Sequence, residues 1–183
     1  IWVLAFVILF QPELRKLLLM ITRSQLFQIF VKSKISETID EVVEAAIEFS
    51  EKHIGALIVF TRSQNVQMTI DTGIKLQAVV TRELMMSIFN TKSPLHDGAV
   101  IVKDDRVVAA SCILPVSSNP DLPANVGLRH RAALGATEGG NLLAVIVSEE
   151  NGNYSYAIDG KLYQDVTLEE LRLKINHYYQ QLG

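Results

Sequence analysis

Short runs of apolar, largely β-branched residues limit what this chain can fold into. Residues 54–60 and 142–148 are too short and too apolar for surface helices, and each is typical of a buried strand. Residues 99–103 and 106–116 are further apolar runs, joined at Asp104 and Asp105, and they predict two strands of a hairpin. The chain therefore has to bury a sheet.

Helical periodicity alternates with these runs. Apolar residues recur at helical spacing over residues 36–53, and residues 81–90, 128–140 and 167–182 also predict helices. Thr81 and Thr167 are the expected N-caps. Residues 74–80 alternate as in an edge strand, whereas residues 61–73 and 117–127 are expected to be polar loops. The order predicts an α/β fold with a mixed β-sheet flanked by helices on both faces.

Composition narrows the class of protein. With 183 residues, 49% of them hydrophobic, the chain can form one domain of ordinary size plus an appendage. The net charge of -3 offers no global basic field, which disfavours general binding to nucleic acid. Cys112, the single cysteine, is expected to be a buried apolar residue in a reducing compartment.

The first ten residues are all apolar and uncharged. About 20 such residues are needed to span a bilayer, so the run alone is too short. The basic residues Arg15, Lys16 and Arg23 follow, as on the cytoplasmic side of a membrane helix. We therefore expect residues 1–33 to be the end of a truncated transmembrane helix and a juxtamembrane arm, with an ordinary buried helix as the alternative. Residues 31–36 would be a linker, and residues 34–183 a separate domain.

The segment from His96 to Ala99 places two titratable groups at the start of an apolar strand. Asp97 can act as a general base or hold a metal, and His96 can bind a metal or carry a proton. Gly98 is expected to let another molecule approach the backbone closely. The alternative is a strand-entry turn with a solvated acid.

Arg129, His130 and Arg131 follow Gly127 at a predicted helix start. Guanidinium groups beside the free N–H groups of a helix N-terminus suit an anion, and phosphate above all. The alternative is a helix whose arginines pair with acids elsewhere.

Ser148, Glu149 and Glu150 come directly after a predicted buried strand. The serine can donate a hydrogen bond to phosphate, and a glutamate can help to hold a divalent cation. The alternative is a turn that leads into Asn151 and Gly152.

Together, "PLHDGAVIV", "GLRHRAALG" and "VIVSEENG" resemble, in order and approximate spacing, the diadenylate cyclase (DAC) domain family over about residues 36–165. The leader "FQPELRK" is similar to the membrane-anchored CdaA type. The resemblance implies synthesis of cyclic di-AMP and two pyrophosphates from two ATP, with Mg²⁺ or Mn²⁺ as cofactor. A face-to-face homodimer is expected, because one chain offers one set of motifs and the product is two-fold symmetric.

The resemblance also implies roles for individual residues. Asp97, Gly98 and Ala99 would form the catalytic motif beside the reacting ribose, with His96 and Asp97 as metal ligands. The expected substrate-binding residues are Leu114, Arg129, His130, Arg131, Ser148, Glu149 and Glu150.

Two positions depart from the family pattern. Leu128 replaces the usual threonine and Ile113 a frequent tyrosine, which removes a hydroxyl near phosphate and an aromatic platform for adenine.

Two other functions stay open. A nucleotide-binding sensor without turnover would fit Leu128, and a metal-dependent phosphate-ester hydrolase could use His96, Asp97 and Glu150. The resemblance further implies the bacterial plasma membrane with the catalytic domain in the cytoplasm, and a YbbR-domain protein and a phosphoglucosamine mutase as partners.

Overall fold

The computed structural model describes residues 2–22, 25–62, 66–119, 122 and 126–180. By their contacts they form two compact units, Ile1–Ser36 and Glu37–Gly183. Helices α1 (Trp2–Thr22) and α2 (Gln25–Glu51) begin the chain. Residues 31–36, predicted to be a linker, are helical and lie within α2. That prediction was wrong because the segment contains neither proline nor glycine, so its lysines and serines can continue a helix.

Helix α1 exposes much of its apolar surface. Trp2, Val3 and Phe6 are 90%, 77% and 60% exposed, respectively. Among the described residues, we find no helix with both the length and the apolar character needed to cross a bilayer. Arg23 lies outside the described residues.

The second unit is built on a mixed sheet. Its described residues form seven strands in the order β2-β4-β3-β1-β5-β6-β7. β1 and β3 run parallel, and the other neighbouring pairs run antiparallel. The strands are β1 (Ala56–Thr61), β2 (Ile74–Val79), β3 (Ala99–Lys103), β4 (Arg106–Cys112), β5 (Leu142–Val147), β6 (Tyr154–Ile158) and β7 (Lys161–Val166). The predicted mixed sheet is confirmed.

Helices cover both faces of this sheet. On one face, α3 (Gln67–Thr72) and α5 (Leu128–Thr137) pack on alternate residues of the central strands, such as Val59, Ile101 and Ile146. On the other face, α6 (Leu168–Gln180) packs through an edge-to-face ring contact between Phe60 and Tyr179. Helix α2 joins α6 through an ion pair between Asp40 and Arg172.

Helix α4 (Arg82–Phe89) is joined to α2 by an edge-to-face contact of Phe49 and Phe89. Both predicted N-caps are confirmed by their hydrogen bonds. The Thr81 hydroxyl accepts from the Leu84 N–H at 3.2 Å, and the Thr167 hydroxyl accepts from the Glu170 N–H at 3.1 Å.

The expected loop over residues 61–73 was wrong in part. Residues 67–72 form α3, a single polar helix whose Ile70 is buried. Six residues are too few for an apolar periodicity to be recognised, and packing of Ile70 decides the conformation. Of the other expected loop, residues 120, 121 and 123–125 lie outside the described residues.

The pairing register brings many strand ends to one edge of the sheet. Ala56 at the start of β1 pairs with Val147 at the end of β5, and Ala99 at the start of β3 pairs with Cys112 at the end of β4. The start of β6 and the end of β7 lie at the same edge, since Tyr154 pairs with both Val147 and Val166. Segments far apart in sequence therefore meet at this edge.

Candidate functional site

A cavity of about 1010 Å³ lies at this edge of the sheet. This volume is at the upper end of the range that holds small-molecule ligands, about 300–1,000 Å³. Most of the residues predicted to form the site line it. They are Asp97, Gly98, Ala99, Leu114, Arg129, His130, Ser148, Glu149 and Glu150.

Asp97 is held in a tight turn at the start of β3. Its carbonyl accepts a hydrogen bond from the Ser111 hydroxyl at 2.7 Å. Gly98 has φ of +109°, and a Cβ at this position would lie 2.8 Å from the Cys112 carbonyl oxygen. The glycine is therefore required by the close approach of β4, whereas the sequence suggested room for another molecule. The turn fixes the Asp97 backbone at the border of the cavity, which this residue lines.

The N-terminus of α5 forms a second side of the cavity. Gly127 is the N-cap, with extended backbone and no capping side chain, and the helix begins at Leu128 as predicted. Arg129 Nη1 lies 2.9 Å from Glu149 Oε2, so this arginine does pair with an acid. That acid belongs to another predicted cluster in the same cavity. A guanidinium has five N–H donors, and this contact engages one nitrogen of the fork.

His130 lies beside the same wall. Its Nε2 atom is 3.3 Å from the Ser155 hydroxyl. Burial lowers the pKa of His130, and the neighbouring Arg129 lowers it further, against the opposing effect of Asp165 and Glu150. Because the ordinary pKa is about 6.5, the imidazole is neutral at pH 7.

Ser148, Glu149 and Glu150 lie in the turn that follows β5. The Ser148 hydroxyl accepts from the Glu150 N–H at 3.3 Å, and the Gly152 N–H donates to the Ser148 carbonyl at 3.0 Å. The segment is thus a turn, as the alternative interpretation held, and it also presents its polar side chains to the cavity.

The opposite wall is formed by the segment that leaves β4. Leu114 is 8% exposed, whereas its neighbour Ile113 is 71% exposed. The Thr72 hydroxyl accepts from the Ile113 N–H at 2.9 Å and donates to the Thr69 carbonyl at 2.7 Å. Gly73 lets this region approach β4, since a Cβ there would lie 2.5 Å from the Ala110 carbonyl oxygen. Helix α3 therefore supports the backbone of this wall.

Three large apolar side chains at the cavity are exposed to solvent. Ile113, Val116 and Leu128 line it and are 71%, 55% and 77% exposed. Their positions form an apolar rim, defined here as these three residues. Exposed apolar groups that cluster beside polar groups are typical of binding surfaces.

Two predicted residues are not among those that line the cavity. The Arg131 side chain donates from Nε to the Val126 carbonyl at 3.3 Å. His96 lies at the preceding turn, where its Nδ1 is 2.7 Å from the Ser93 carbonyl oxygen. A carbonyl only accepts hydrogen bonds, so Nδ1 is the donor in this contact. Their roles toward ligand or metal stay predictions.

The donor set suits a metal that substrate phosphates help to hold. Within the described residues, no three His, Cys, Asp or Glu side chains are grouped closely enough to hold a metal by themselves. Mg²⁺ and similar ions commonly need only one or two carboxylates, with phosphates and water completing the shell. Asp97 supplies an oxygen donor, and His96 has an orienting carbonyl of the kind found behind metal-bound histidines.

Cys112 also lies at the cavity, but burial raises the pKa of its thiol to about 11. It is therefore protonated at neutral pH, and the expectation of a buried, unreactive cysteine is confirmed.

Several lining residues were missed by sequence reasoning. Thr72 and Ser111 support the turns around them, and Asn153 donates to the Asp165 carboxylate at 2.6 Å. Asp165 and Gln164 come from the end of β7, and both line the cavity. No motif surrounds them, and only the strand order of the sheet brings them to this edge.

Comparison with known proteins gives a consistent family assignment. Residues 43–162 match the DAC family model, described as the nucleotide-binding domain of the DisA bacterial checkpoint controller. The chain is 41% identical to the cyclic di-AMP synthase CdaA of Bacillus subtilis, over 92% of this chain and 63% of that protein. It is 38% identical to a diadenylate cyclase of Listeria monocytogenes, over 92% of this chain and 63% of that protein. The chain thus spans just under two thirds of these relatives' length.

Solved structures agree with the fold. A double mutant of DacA from Staphylococcus aureus is similar with a TM-score of 0.76 and 37% identity, over 80% of this chain and 97% of that one. A protein from Bacillus cereus, described as a hypothetical membrane spanning protein, is similar with a TM-score of 0.68 and 33% identity, over 88% of this chain and 80% of that one. Sequence motifs, fold and these matches together show that the chain belongs to the diadenylate cyclase (DAC) domain family.

Proposed function

We propose that residues 34–183 are the catalytic domain of a diadenylate cyclase, which condenses two ATP into cyclic di-AMP and releases two pyrophosphates. The observation that carries this proposal is the convergence of Asp97, Arg129 and Ser148 on one cavity from three separate segments. The names of the relatives from Bacillus subtilis and Listeria monocytogenes support the same activity.

The cavity has distinct sides for the two halves of ATP. Arg129, beside the N-terminus of α5, would bind the triphosphate, and Ser148 would donate to a phosphate oxygen. The backbone of Leu114 would border the adenine on the opposite wall. Each cavity would hold one ATP.

The reaction joins the 3′-oxygen of one ATP to the α-phosphorus of the other. Asp97 accepts the proton of the 3′-hydroxyl as the oxygen attacks in line, and the bond from the α-phosphorus to pyrophosphate breaks. Arg129 neutralises charge that develops on the phosphoryl group and the leaving pyrophosphate. A second, symmetric transfer closes the ring, so each product consumes two ATP and yields two pyrophosphates.

A divalent cation would be held by Asp97 and His96 together with the phosphates of ATP. Mg²⁺ or Mn²⁺ bound there supplies charge neutralisation at the phosphoryl group. The orienting hydrogen bond from His96 to the Ser93 carbonyl supports this assignment.

The product requires two ATP sites to face each other, which calls for a two-fold homodimer. The apolar rim of Ile113, Val116 and Leu128 supports this arrangement, since it lines the cavity with exposed apolar side chains that a second copy would cover.

We also propose that the chain works at the bacterial plasma membrane, with the catalytic domain in the cytoplasm. The exposed apolar side chains of α1 and the description of the Bacillus cereus neighbour support a membrane association through this helix. A YbbR-domain protein and a phosphoglucosamine mutase are the proposed regulators, on the family resemblance alone.

A sensor that binds nucleotide without turnover is the second candidate. The observation in its favour is Leu128, which is exposed at the cavity where a phosphate-binding hydroxyl is usual in the family. Loss of one such hydrogen bond costs about 0.5–1.5 kcal/mol, which slows a reaction but does not remove its base.

Product analysis separates these functions. The purified chain is incubated with ATP and either Mg²⁺ or Mn²⁺, and the nucleotides are separated by chromatography. We expect cyclic di-AMP as the product. AMP or ADP without cyclic di-AMP would indicate the hydrolase, and bound but unconverted ATP with both metals would indicate the sensor. In that last case, Leu128→Thr is the variant that should restore turnover.

A further inference from the structure

Gly55 lies directly before β1, at the edge of the sheet that carries the cavity, and it is buried. A Cβ at this position would lie 2.7 Å from Arg129 Nη1 and 2.9 Å from both Arg129 Cζ and Glu149 Oε2. The space that a side chain would fill is therefore occupied by the Arg129–Glu149 ion pair.

Other tightly packed glycines face the backbone. A Cβ on Gly135 would lie 2.3 Å from the Pro115 carbonyl oxygen, and one on Gly98 would lie 2.8 Å from the Cys112 carbonyl oxygen. Substitution at these positions must distort the fold. At Gly55 the nearest atoms are instead the ends of two flexible side chains, which can move while the backbone stays in place.

The Arg129–Glu149 ion pair has a defined position only if it packs in the space over Gly55. The Arg129 and Glu149 side chains are 29% and 58% exposed, and pairs this accessible to water are weak because water and salt compete for both groups. Packing of the guanidinium over Gly55 restricts where Arg129 can lie. Glu149 then engages one end of the fork, and the other donors remain for a ligand.

We propose that Gly55 is a positioning residue. Its lack of a side chain leaves the space in which the Arg129 guanidinium packs, and packing there directs the guanidinium toward the triphosphate. This inference rests on the proposed function for the identity of the ligand. Any side chain at position 55 would displace Arg129 and weaken phosphate binding while the fold is retained.

The test measures binding without turnover. The affinity for α,β-methylene-ATP, whose α,β bridge resists cleavage, is measured with Mg²⁺ by calorimetry for the parent and Gly55→Ala. We expect about tenfold weaker binding by the variant, the loss of one charge-assisted hydrogen bond. Its melting temperature should be equal to or slightly above that of the parent, because alanine restricts the unfolded chain.

Two further variants show whether the methyl group acts through Arg129. In an Arg129→Ala background, Gly55→Ala should cause no additional loss of affinity, since the displaced group is absent. Gly139→Ala is the matched control, because a Cβ there meets no atom within 4 Å, and it should bind like the parent.

Unchanged affinity in Gly55→Ala would overturn the inference. So would an additional loss in the Arg129→Ala background, or a fall in melting temperature as large as that of Gly135→Ala. If the parent binds the analogue but makes no cyclic di-AMP from ATP, the proposed function fails while the Gly55 comparison still decides the inference. No binding by the parent would overturn both.

Discussion

The two walls of the cavity are built in different ways. One wall, called the phosphate wall after its proposed ligand, consists of Arg129, His130 and the turn from Ser148 to Glu150, and it uses charged and polar side chains. The other, called the base wall after its proposed contact with adenine, consists of Thr72, Ile113 and Leu114, where the Thr72 hydroxyl fixes the backbone that leaves β4. The first wall presents functional groups of side chains, and the second presents a shaped backbone.

This difference explains which residues sequence reasoning could find. Charged residues at a helix start and after a buried strand have a chemical signature, so Arg129, His130 and the turn after β5 could be named as candidates from the sequence, and the structure places them at one cavity. A backbone wall has no such signature: Leu114 and Ile113 were named only through the family resemblance, and Thr72 was missed. We expect substitutions on the two walls to differ in the size of their effect and in its dependence on salt.

The largest effect is expected at the turn between the walls. Asp97→Asn keeps the shape of the side chain and removes the proton acceptor, so formation of cyclic di-AMP should fall by about 10²–10⁴-fold. Single-turnover assays with the enzyme in saturating excess over ATP measure this. Asp104→Asn is the matched control: Asp104 lies in the β3–β4 turn with φ of 54°, a conformation that asparagine tolerates. Equal loss in both variants would remove Asp97 from the mechanism.

On the phosphate wall, Arg129→Ala should weaken binding of ATP by about 10- to 100-fold, as expected for hydrogen bonds to a charged group. The loss should shrink as salt rises, because salt weakens the attraction in the parent. Affinity is measured by calorimetry at two ionic strengths.

Arg131→Ala provides the comparison, since its side chain donates to the Val126 carbonyl and is not among the residues that line the cavity. A smaller effect is expected. An equal effect that depends equally on salt would place both arginines on the phosphate wall.

On the base wall, Thr72→Val preserves shape and removes the hydrogen bond to the Ile113 N–H. We expect KM for ATP to rise by about 2- to 12-fold with little change in kcat, the loss of one neutral hydrogen bond. Thr72→Ser should restore the parent value because it restores the hydroxyl. The effect should not depend on salt, and a salt dependence like that of Arg129→Ala would erase the distinction between the walls.

The smallest effect concerns pH. The pKa of His130 is lowered in the folded state, so between pH 6.5 and that lower value the unfolded chain binds more protons than the folded one. The contribution of neutral His130 to the free energy of unfolding is therefore lost as the pH falls below about 6.5. Urea unfolding at pH 7.5 and 5.5 should show that the free energy of unfolding falls less in His130→Gln than in the parent. Identical losses would show that His130 titrates normally.

Much of the fold could be predicted because local patterns agreed with tertiary packing. The hairpin at Asp104 and Asp105, the helix at Leu128 and the N-caps at Thr81 and Thr167 follow from short-range signals. Helix α3 could not be predicted, because its six residues, four of them polar, are held by a single buried side chain, Ile70.

The site was predictable only in part for a related reason. The positions of Asp165 and Gln164 depend on the strand order, which places β7 beside β6 as the outermost strand of the sheet. Gly98 lines the cavity, but its close approach to β4 was not foreseen, since sequence does not reveal which segment approaches a glycine.

A mixing experiment tests most directly whether two facing chains each contribute one ATP site. A fixed low concentration of the parent is incubated with an increasing excess of Asp97→Asn, with subunit exchange followed through fluorescent labels. A mixed dimer has one working base and can complete only one of the two transfers. At tenfold excess, we expect cyclic di-AMP per parent chain to fall about tenfold while a linear dinucleotide accumulates. Unchanged production of cyclic di-AMP per parent chain after complete subunit exchange would contradict a homodimer in which each chain contributes one ATP site.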